Sequence, residues 1–387
     1  MKRFLVLDSL RGLCALAFIV HHSHIERSIT ELTFFRNVSQ LAGFFFALSG
    51  FLIYRRYSDH VNTSRQLHEF MVTRTCRIMP LHLAVLVFFV GFECLKWLLE
   101  QRGLALNFPA FSGDRAPQEI VPNLLLIQAW WPSFNALSFN YPAWFISVEF
   151  YVWMIFALIA FTLPRLASTL FTLLCVLAGV ALYKEFSLIP RNVLWGVSCF
   201  FAGTITYRIY ARSRNATLGP ILATVLETAV LGVIYWIMTE GEQPLTLELG
   251  LLFCLAILIF SHEAGLISRL LRFRPFPALG TLWLSIYLTH AAVIVVLTTA
   301  LTVAAKFSGY ALLTEKVSEA TGATARYLST GSALNDNLLL LFVVVAVVVL
   351  SLLTHRFIEA PGIRFGKHWR HGTLNRRRKD DPAPERG

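Results

Sequence analysis

The chain has 387 residues, of which 56% are hydrophobic and only 15% are charged, and its formal net charge is +11. Because a soluble globular protein normally carries about 25% charged residues, this composition excludes an ordinary soluble enzyme. The apolar residues form continuous runs of roughly 18 to 25, which is the length that a helix needs to cross the bilayer core. In barrel strands, by contrast, apolar and polar residues alternate. The sequence therefore predicts an all-α polytopic membrane protein.

Ten apolar segments follow one another along the chain, and they predict about ten transmembrane helices. Lys2 and Arg3 precede the first segment, but no cleavage site of small residues follows it, so we expect this first helix to be retained. Long polar loops are predicted at 101–141 and 306–337. The predicted spans lie near 5–24, 38–55, 78–99, 142–163, 165–183, 189–208, 217–238, 246–261, 279–305 and 337–357.

The distribution of basic residues predicts the orientation. If the N-terminus is cytoplasmic, 23 Lys and Arg residues fall in cytoplasmic segments and ten fall in segments on the other side. Cytoplasmic loops of membrane proteins carry such an excess, so the positive charge is explained without nucleic acid, and no nucleic-acid partner is predicted. Both termini are predicted to be cytoplasmic. Residues 1–361 are predicted to form the transmembrane domain, and residues 362–387 a basic, disordered cytoplasmic tail.

The first span contains the stretch LDSLRGLCALAFIVHHS, whose ionisable residues are costly at membrane depth and for that reason tend to be functional. Arg11 and His22 are eleven residues apart, which places them on one helix face about 16 Å apart along the axis. Such a helix could contact an anion near one membrane surface and a reaction centre near the other. The alternative is that Arg11 extends to the lipid headgroups and His22 lies at the opposite interface.

A second ionisable residue, Glu149, lies in PAWFISVEFYVW, seven residues past the point where this span is predicted to enter the membrane. It is expected about 10 Å deep, at a depth similar to that of His22. A carboxylate beside an imidazole would orient the ring and raise its basicity. The alternative is a protonated Glu149 that makes a structural hydrogen bond between helices.

Two further segments carry candidate residues. The segment RTCRIMP places Arg74 and Arg77 just before a span, where guanidinium groups suit phosphate recognition, although basic residues there also simply mark a cytoplasmic loop. The segment LSIYLTHAAVI places Tyr287 and His290 on one helix face, and His290 is equally compatible with a hydrogen-bonded core residue. The segment HHSH at 21–24 has no acidic or cysteine ligand beside it, so no metal site is predicted.

Taken in order, these segments resemble the motifs of the acyltransferase-3 family of membrane acyltransferases. The ten residues between Arg11 and His22 match the spacing of the opening motif, and RTCRIMP resembles the arginine-x-x-arginine motif. The segments GFFFALSGFLI, WFISVEF, LSIYLTH and RFIEAP resemble the second-span motif and three later ones. Two positions depart from the pattern: Phe145 stands where serine is common, and FYVW replaces the usual polar residues after Glu149.

The resemblance implies an O-acyltransferase of the cytoplasmic (inner) membrane. Such an enzyme moves an acyl group, most often acetyl, from cytosolic acyl-CoA to a hydroxyl of an extracytoplasmic carbohydrate such as O-antigen or exopolysaccharide. The implied partners are acetyl-CoA as co-substrate, a polysaccharide or lipid-linked glycan as acceptor, and membrane lipids, with no tightly bound cofactor and no attached SGNH hydrolase-like domain. Direct transfer and a transient acyl-enzyme both stay open. A lipid, antibiotic or peptidoglycan acceptor and, in a different class, a small-molecule transporter are the alternatives.

The resemblance also implies roles for individual residues. His22 is expected to act as general base on the acceptor hydroxyl, with Glu149 orienting it. The donor phosphates are expected to bind Arg11, Arg74 and Arg77. Further residues expected to line the site are Asp8, Ser49, Ser147, Tyr287 and His290.

Overall fold

The computed structural model of the protein describes residues 3–58, 61–104, 108–216, 218–240, 246–308, 313–317 and 324–369. Within these ranges the protein is built of α-helices, with one small β-hairpin. A π-helical turn at His355–Glu359 follows the last α-helix, and the chain stays helical to Trp369. The helices are α1 (Leu5–His22), α2 (Thr33–Arg36), α3 (Ala42–Tyr57), α4 (Ser64–Glu100), α5 (Ile120–Leu124), α6 (Ala143–Thr162), α7 (Ala167–Tyr183), α8 (Arg191–Ser213), α9 (Pro220–Thr239), α10 (Leu247–Ser261), α11 (Leu266–Leu271), α12 (Pro275–Ser308) and α13 (Ala333–Thr354).

The predicted class, an all-α polytopic membrane protein, is confirmed. Seven helices in the described part of the chain are long and apolar enough to cross a membrane, namely those that include α1, α3, α4, α6, α9, α12 and α13. Helices α7 and α10 are apolar but shorter, and α8 is a 23-residue helix. A helix therefore lies at each of the ten predicted positions. The number of spans and the cytoplasmic location of the termini stay predictions.

Helix α4 begins well before the predicted start of its span at residue 78. Its 37 residues start after a capping box, in which Thr63 and Gln66 satisfy each other's backbone N–H groups. The helix then continues through Pro80 to Glu100. Its first turns are too polar to be recognised from hydropathy. Arg74 and Arg77 consequently lie on a helix and not in a loop.

Two close helix pairs organise the bundle: α1 packs along α12, and α3 packs along α8. Glycine makes both approaches feasible. A Cβ atom on Gly280 would overlap the backbone carbonyl of Asp8, and one on Gly50 would overlap the carbonyl oxygen of Phe200. Small residues let helix backbones approach closely in this way in membranes. Because α1 carries both Arg11 and His22, its pairing with α12 decides what these two side chains face.

The loop between α4 and α6 is folded against the bundle. The Asn123 side-chain Nδ2 donates to Ser138 Oγ (2.7 Å), and His82 Nε2 on α4 lies 2.8 Å from the Asn123 carbonyl oxygen. Asn140 Nδ2 donates to the carbonyl oxygen of Leu288 on α12 (3.2 Å). These bonds fix the segment that leads into α6 beside α12.

The second predicted polar loop contains the hairpin. Strand β1 (Leu313–Val317) pairs antiparallel with β2 (Thr324–Leu328), and Leu328 also bridges to Ile25 just after α1. The predicted domain boundary at residue 361 falls within the helix that reaches Trp369. The rest of the predicted tail, from residue 370 onward, lies outside the described residues.

Candidate active site

A cavity of about 370 Å³ lies at the N-terminal end of α1, and we call it the arginine cavity. It is formed by side chains from α1, α3, α4, α6, α12 and the π-helical turn. Three carboxylates line it, so the arginines outnumber the acids and the cavity is positively charged. Its arginines are Arg3, Arg11, Arg55, Arg56, Arg74 and Arg77.

The three arginines predicted to bind the donor meet in this cavity. The Nε atoms of Arg11, Arg74 and Arg77 are buried and have no hydrogen-bond partner among the described residues. The Arg74 guanidinium lies over Trp153, 4.8 Å from its centroid, and that of Arg11 lies 5.1 Å from the centroid of Trp283. These rings hold the guanidinium groups in place. Buried donors are seldom left without an acceptor, so the cavity is suited to an anion with several oxygens, such as a phosphate.

Glu149 also lies in the arginine cavity, and the described residues show no contact between Glu149 and His22. The carboxylate is buried and contacts Ser49. Its Oε2 atom has no hydrogen-bond partner within the described part of the chain. The charges that act on it are those of Arg11, Arg74 and Arg77.

The position of Tyr141 explains why Glu149 lies deeper than the sequence predicts. That prediction takes residue 142 to lie at the membrane surface. In the structure Tyr141 already contacts His22, with 4.7 Å between the ring centroids. The six residues from Ala143, the first of α6, to Glu149 then advance about 9 Å along the helix. That advance carries Glu149 past the level of His22, toward Arg11.

A histidine and a carboxylate that the sequence reasoning missed also line the arginine cavity. His355 Nδ1 lies 2.9 Å from Glu359 Oε2, and Ser285 Oγ donates to the same oxygen (2.8 Å). Both residues belong to the π-helical turn, an irregularity that is frequent at functional sites. The segment RFIEAP, which contains Glu359, was the available signal, but its chemistry becomes visible only when the last helix is placed against α12.

At the other end of α1, His22 contacts His290 of α12. His290 Nε2 lies 3.0 Å from His22 Nδ1, and the two rings are stacked with centroids 5.0 Å apart. His22 Nδ1 is also 3.0 Å from the Phe18 carbonyl oxygen, and His290 Nδ1 is 3.2 Å from the Ile286 carbonyl oxygen. We call these two residues the histidine pair.

The contacts of the histidine pair fix its tautomers when both rings are neutral. A carbonyl oxygen only accepts, so His290 carries its proton on Nδ1 and donates it to Ile286. His290 Nε2 is then an acceptor, and His22 Nδ1 must be the donor in the contact between the rings. This leaves a lone pair on His22 Nε2, which has no hydrogen-bond partner among the residues described. His22 is thereby prepared to accept a proton, with His290 in the orienting position that was predicted for Glu149.

Tyr141 covers the histidine pair from the loop before α6. Its ring centroid lies 4.7 Å from that of His22 and 6.1 Å from that of His290. Burial raises the pKa of the Tyr141 phenol, so the hydroxyl keeps its proton and can donate a hydrogen bond. The sequence does not single out Tyr141, because residues 101–141 are predicted to be a polar loop.

A layer of aromatic side chains separates the arginine cavity from the histidine pair. Phe45 contacts Trp283 of the arginine cavity, with centroids 5.4 Å apart, and it contacts Phe145 at 5.7 Å. Tyr287 joins Phe145 (5.3 Å) to Phe18 (5.1 Å), which stacks on His22. A group that passes from one end of α1 to the other must displace some of these rings.

The remaining predicted residues divide between site and scaffold. Asp8 and Ser49 line the arginine cavity, and Tyr287 belongs to the aromatic layer. Ser147 lies outside that cavity's lining: its Oγ donates to the Leu126 carbonyl oxygen and accepts from the Ala129 N–H (3.4 Å). Its contacts anchor the loop before α6, so the prediction that Ser147 lines the site is not supported by this geometry.

Comparison with known proteins gives a family. The model of the acyltransferase-3 family, described as an acyltransferase domain, matches residues 4–356. Over 117 residues the chain is 33% identical to acyltransferase MdmB from Streptomyces mycarofaciens. The aligned segment covers 30% of this chain and 26% of that protein. No solved structure matches the chain. The family match extends from α1 to the π-helical turn, and the chain belongs to the acyltransferase-3 family of membrane acyltransferases.

Proposed function

We propose that this protein is an O-acyltransferase that moves an acetyl group from cytosolic acetyl-CoA to a hydroxyl group of a carbohydrate on the opposite side of the cytoplasmic membrane. The observation that carries the proposal is the arrangement along α1. At one end the buried Nε atoms of three arginines have no hydrogen-bond partner among the described residues. At the other end His22 Nε2 likewise has none in the part of the chain that the structure describes. This is the arrangement that a donor with a charged end and a reactive end requires.

The arginine cavity is the proposed donor site. The phosphates of acyl-CoA would bind Arg11, Arg74 and Arg77, whose forked N–H groups match phosphate oxygens. The flexible pantetheine arm separates these phosphates from the thioester. A donor held in the cavity can therefore extend its thioester along α1 toward His22, about 16 Å from Arg11, once rings of the aromatic layer rotate aside.

The histidine pair is the proposed reaction centre. His22 Nε2 takes the proton of the acceptor hydroxyl while the hydroxyl oxygen attacks the thioester carbonyl carbon. The carbon–sulfur bond then breaks, and His22 returns the proton to the sulfur, so that CoA leaves as a thiol. His290 stabilises the charged His22 ring by accepting the bond from Nδ1. Tyr141 is the neighbouring donor for the negative charge that develops on the carbonyl oxygen.

Glu149 has a different role in this proposal from the one expected of it. It faces Arg11, Arg74 and Arg77, and it orients their guanidinium groups for the donor. The segments predicted to be cytoplasmic carry the excess of basic residues, and several of those residues line the arginine cavity. This supports a cytosolic location of the cavity.

A sidedness experiment tests the proposal. Radiolabelled acetyl-CoA is added to sealed membrane vesicles of either orientation, prepared with and without the protein. We expect protein-dependent labelling of an acceptor only in inverted vesicles, where the cytosolic face is accessible. No transfer in either orientation, or equal transfer in both, would contradict the proposal.

A further inference from the structure

A second cavity, of about 450 Å³, lies farther along α12, between α12, α4 and the loop that follows α4. Trp283 of α12 lines the arginine cavity, His290 follows it, and Thr298, Thr299 and Thr302 line this second cavity. We call it the threonine cavity. By helix rise its nearest residue on α12, Val295, is about 7.5 Å past His290. The threonine cavity is thus on the histidine side of the molecule.

The wall of the threonine cavity is held by a buried ionic cluster. Glu93 of α4 is fully buried and accepts hydrogen bonds from Arg115 (2.6 Å), Lys96 (3.0 Å) and the backbone N–H of Phe111 (3.0 Å). Lys96 is itself only 8% exposed. Buried charges in a membrane protein are costly and tend to be functional. This cluster fixes the loop with Asp114 and Arg115 opposite the threonines.

The same loop connects the threonine cavity to the histidine pair. The Phe139 N–H donates to the Asp114 carbonyl oxygen (3.0 Å), and Tyr141, two residues farther on, contacts His22. The Arg115 charge is close enough to Tyr141 to act on the pKa of its phenol. A cavity wall that contains Asp114 is therefore joined by one backbone hydrogen bond to the segment that carries Tyr141.

The lining of the threonine cavity has the chemistry of a sugar site. Threonine and serine hydroxyls, the Asp114 carboxylate and the Arg115 guanidinium can exchange hydrogen bonds with several hydroxyl groups. Thr299 makes no hydrogen bond to any residue that the structure describes. Phe92 and Phe108 supply aromatic surface for the C–H face of a sugar ring. Thr298, Thr302 and Ser112 already donate to backbone carbonyl oxygens. A hydrocarbon chain would thus leave the Thr299 hydroxyl without a partner, at a cost of about 1–3 kcal/mol.

We propose that the threonine cavity binds the acceptor as a pyranose ring and presents one of its hydroxyl groups to His22 past Tyr141. This inference rests on the proposed acyl transfer and adds the location and chemical class of its acceptor site. It assigns specificity to Thr299 and Asp114, which touch the acceptor and not the donor.

The test measures acetyl transfer from acetyl-CoA by the purified protein in nanodiscs, to a series of methyl hexopyranosides and, in parallel, to long-chain alcohols. Thr299→Val removes one hydroxyl at nearly constant volume, so we expect the KM for the sugar to rise about three- to tenfold. The KM for acetyl-CoA should not change. Thr299→Ser keeps the hydroxyl and should resemble the unaltered protein. Thr239→Val, at the end of α9 where Thr239 bonds its own helix, is the matched control.

The outcomes separate this inference from the proposed function. If the unaltered protein acetylates sugars and Thr299→Val has an unchanged KM for them, the cavity is not the acceptor site. If the unaltered protein acetylates only long-chain alcohols, the assignment to a sugar is wrong although acyl transfer stands. If it transfers acetyl to no hydroxyl compound at all, the proposed function fails and this inference fails with it.

Discussion

The reactivity proposed for His22 depends on which of its ring nitrogens carries the proton, and the Phe18 carbonyl oxygen and His290 together hold that proton on Nδ1. His290→Leu removes one of the two acceptors beside His22 Nδ1 and leaves only the Phe18 carbonyl oxygen, so the charged His22 ring is stabilised less during the reaction. We expect kcat to fall about 10²-fold, as for loss of a group that assists general-base catalysis. His290→Gln, whose side-chain oxygen can accept the same bond, should recover part of that loss. Acetyl transfer at saturating donor is the measurement.

The pH dependence of kcat in these variants gives a second readout, because loss of the acceptor bond disfavours the charged His22 ring. The pH at which kcat is maximal should differ between His290→Leu and the unaltered protein. In His290→Gln this pH should return toward that of the unaltered protein. Equal kcat and equal pH profiles in all three proteins would remove His290 from the mechanism and leave it as a core residue.

The arginines of the arginine cavity whose Nε atoms have no partner among the described residues make a separate prediction. Arg74→Ala and Arg77→Ala each remove a charge-assisted contact worth about 1.5–3 kcal/mol, so the KM for acetyl-CoA should rise tenfold or more. Lysine at either position should restore only part of the affinity, because the fork of N–H groups is lost. Arg212→Ala is the control, since Arg212 donates to the carbonyl oxygen of Arg208 at the end of α8 and does not line the cavity. If the KM for acetyl-CoA is unchanged in both variants, Arg74 and Arg77 do not bind the donor and serve only to orient the protein in the membrane.

The sequence predicted individual residues better than it predicted their contacts. Arg11 and His22 share one continuous helix, so spacing alone was sufficient to place them at opposite ends. The depth predicted for Glu149 is counted from residue 142, which is assumed to lie at the membrane surface. The folded loop that ends at Tyr141 places residue 142 deeper than that, beside His22. The contact between His22 and His290 joins residues 268 positions apart, and no local pattern reports which helix faces α1.

Among the helices, the pair formed by α1 and α12 positions both ends of the site. Gly280→Val would place a branched side chain against the backbone carbonyl of Asp8 and push the two helices apart. Overpacking of this kind costs about 1–3 kcal/mol, and here it would also lengthen the contact between His22 and His290. We expect a lower Tm in detergent together with a lower kcat. Gly232→Val on α9, where a Cβ would meet nothing within 4 Å, is the control.

A Gly280→Val protein with normal activity would show that the spacing of α1 and α12 does not position the reaction centre. The sequence predicted the existence of both helices from their apolar runs, but hydropathy carries no information about which helices pair. The same limit applies to α4, whose first turns are polar and so appear as a loop until the capping box at Thr63 is seen.

At the scale of the whole molecule, the basic residues predict which side of the membrane each end of the site faces. Single cysteines are introduced at Ser133, in the loop before α6, and at Asp380, in the predicted tail, in a protein whose six native cysteines have been replaced. A membrane-impermeant maleimide should label position 133 in intact cells, and position 380 only after permeabilisation. Labelling of position 380 from outside would reverse the topology and place the arginine cavity away from cytosolic acyl-CoA.

The central claim is that the protein, with His22 as general base, transfers an acetyl group to a carbohydrate outside the cytoplasm. Mass spectrometry of surface glycans tests it most directly. Glycans are compared from cells that lack the gene and from cells that produce the unaltered protein, His22→Ala or His21→Ala. His21 is the matched control because its Nδ1 contacts the Phe35 carbonyl oxygen (2.7 Å) and not His290. The account predicts a mass gain of one acetyl group per modified unit with the unaltered protein and with His21→Ala. It predicts the loss of that gain in His22→Ala, because general-base catalysis contributes about 10²–10⁴ in rate. Glycans that remain acetylated in His22→Ala, at normal membrane abundance of the protein, would contradict it.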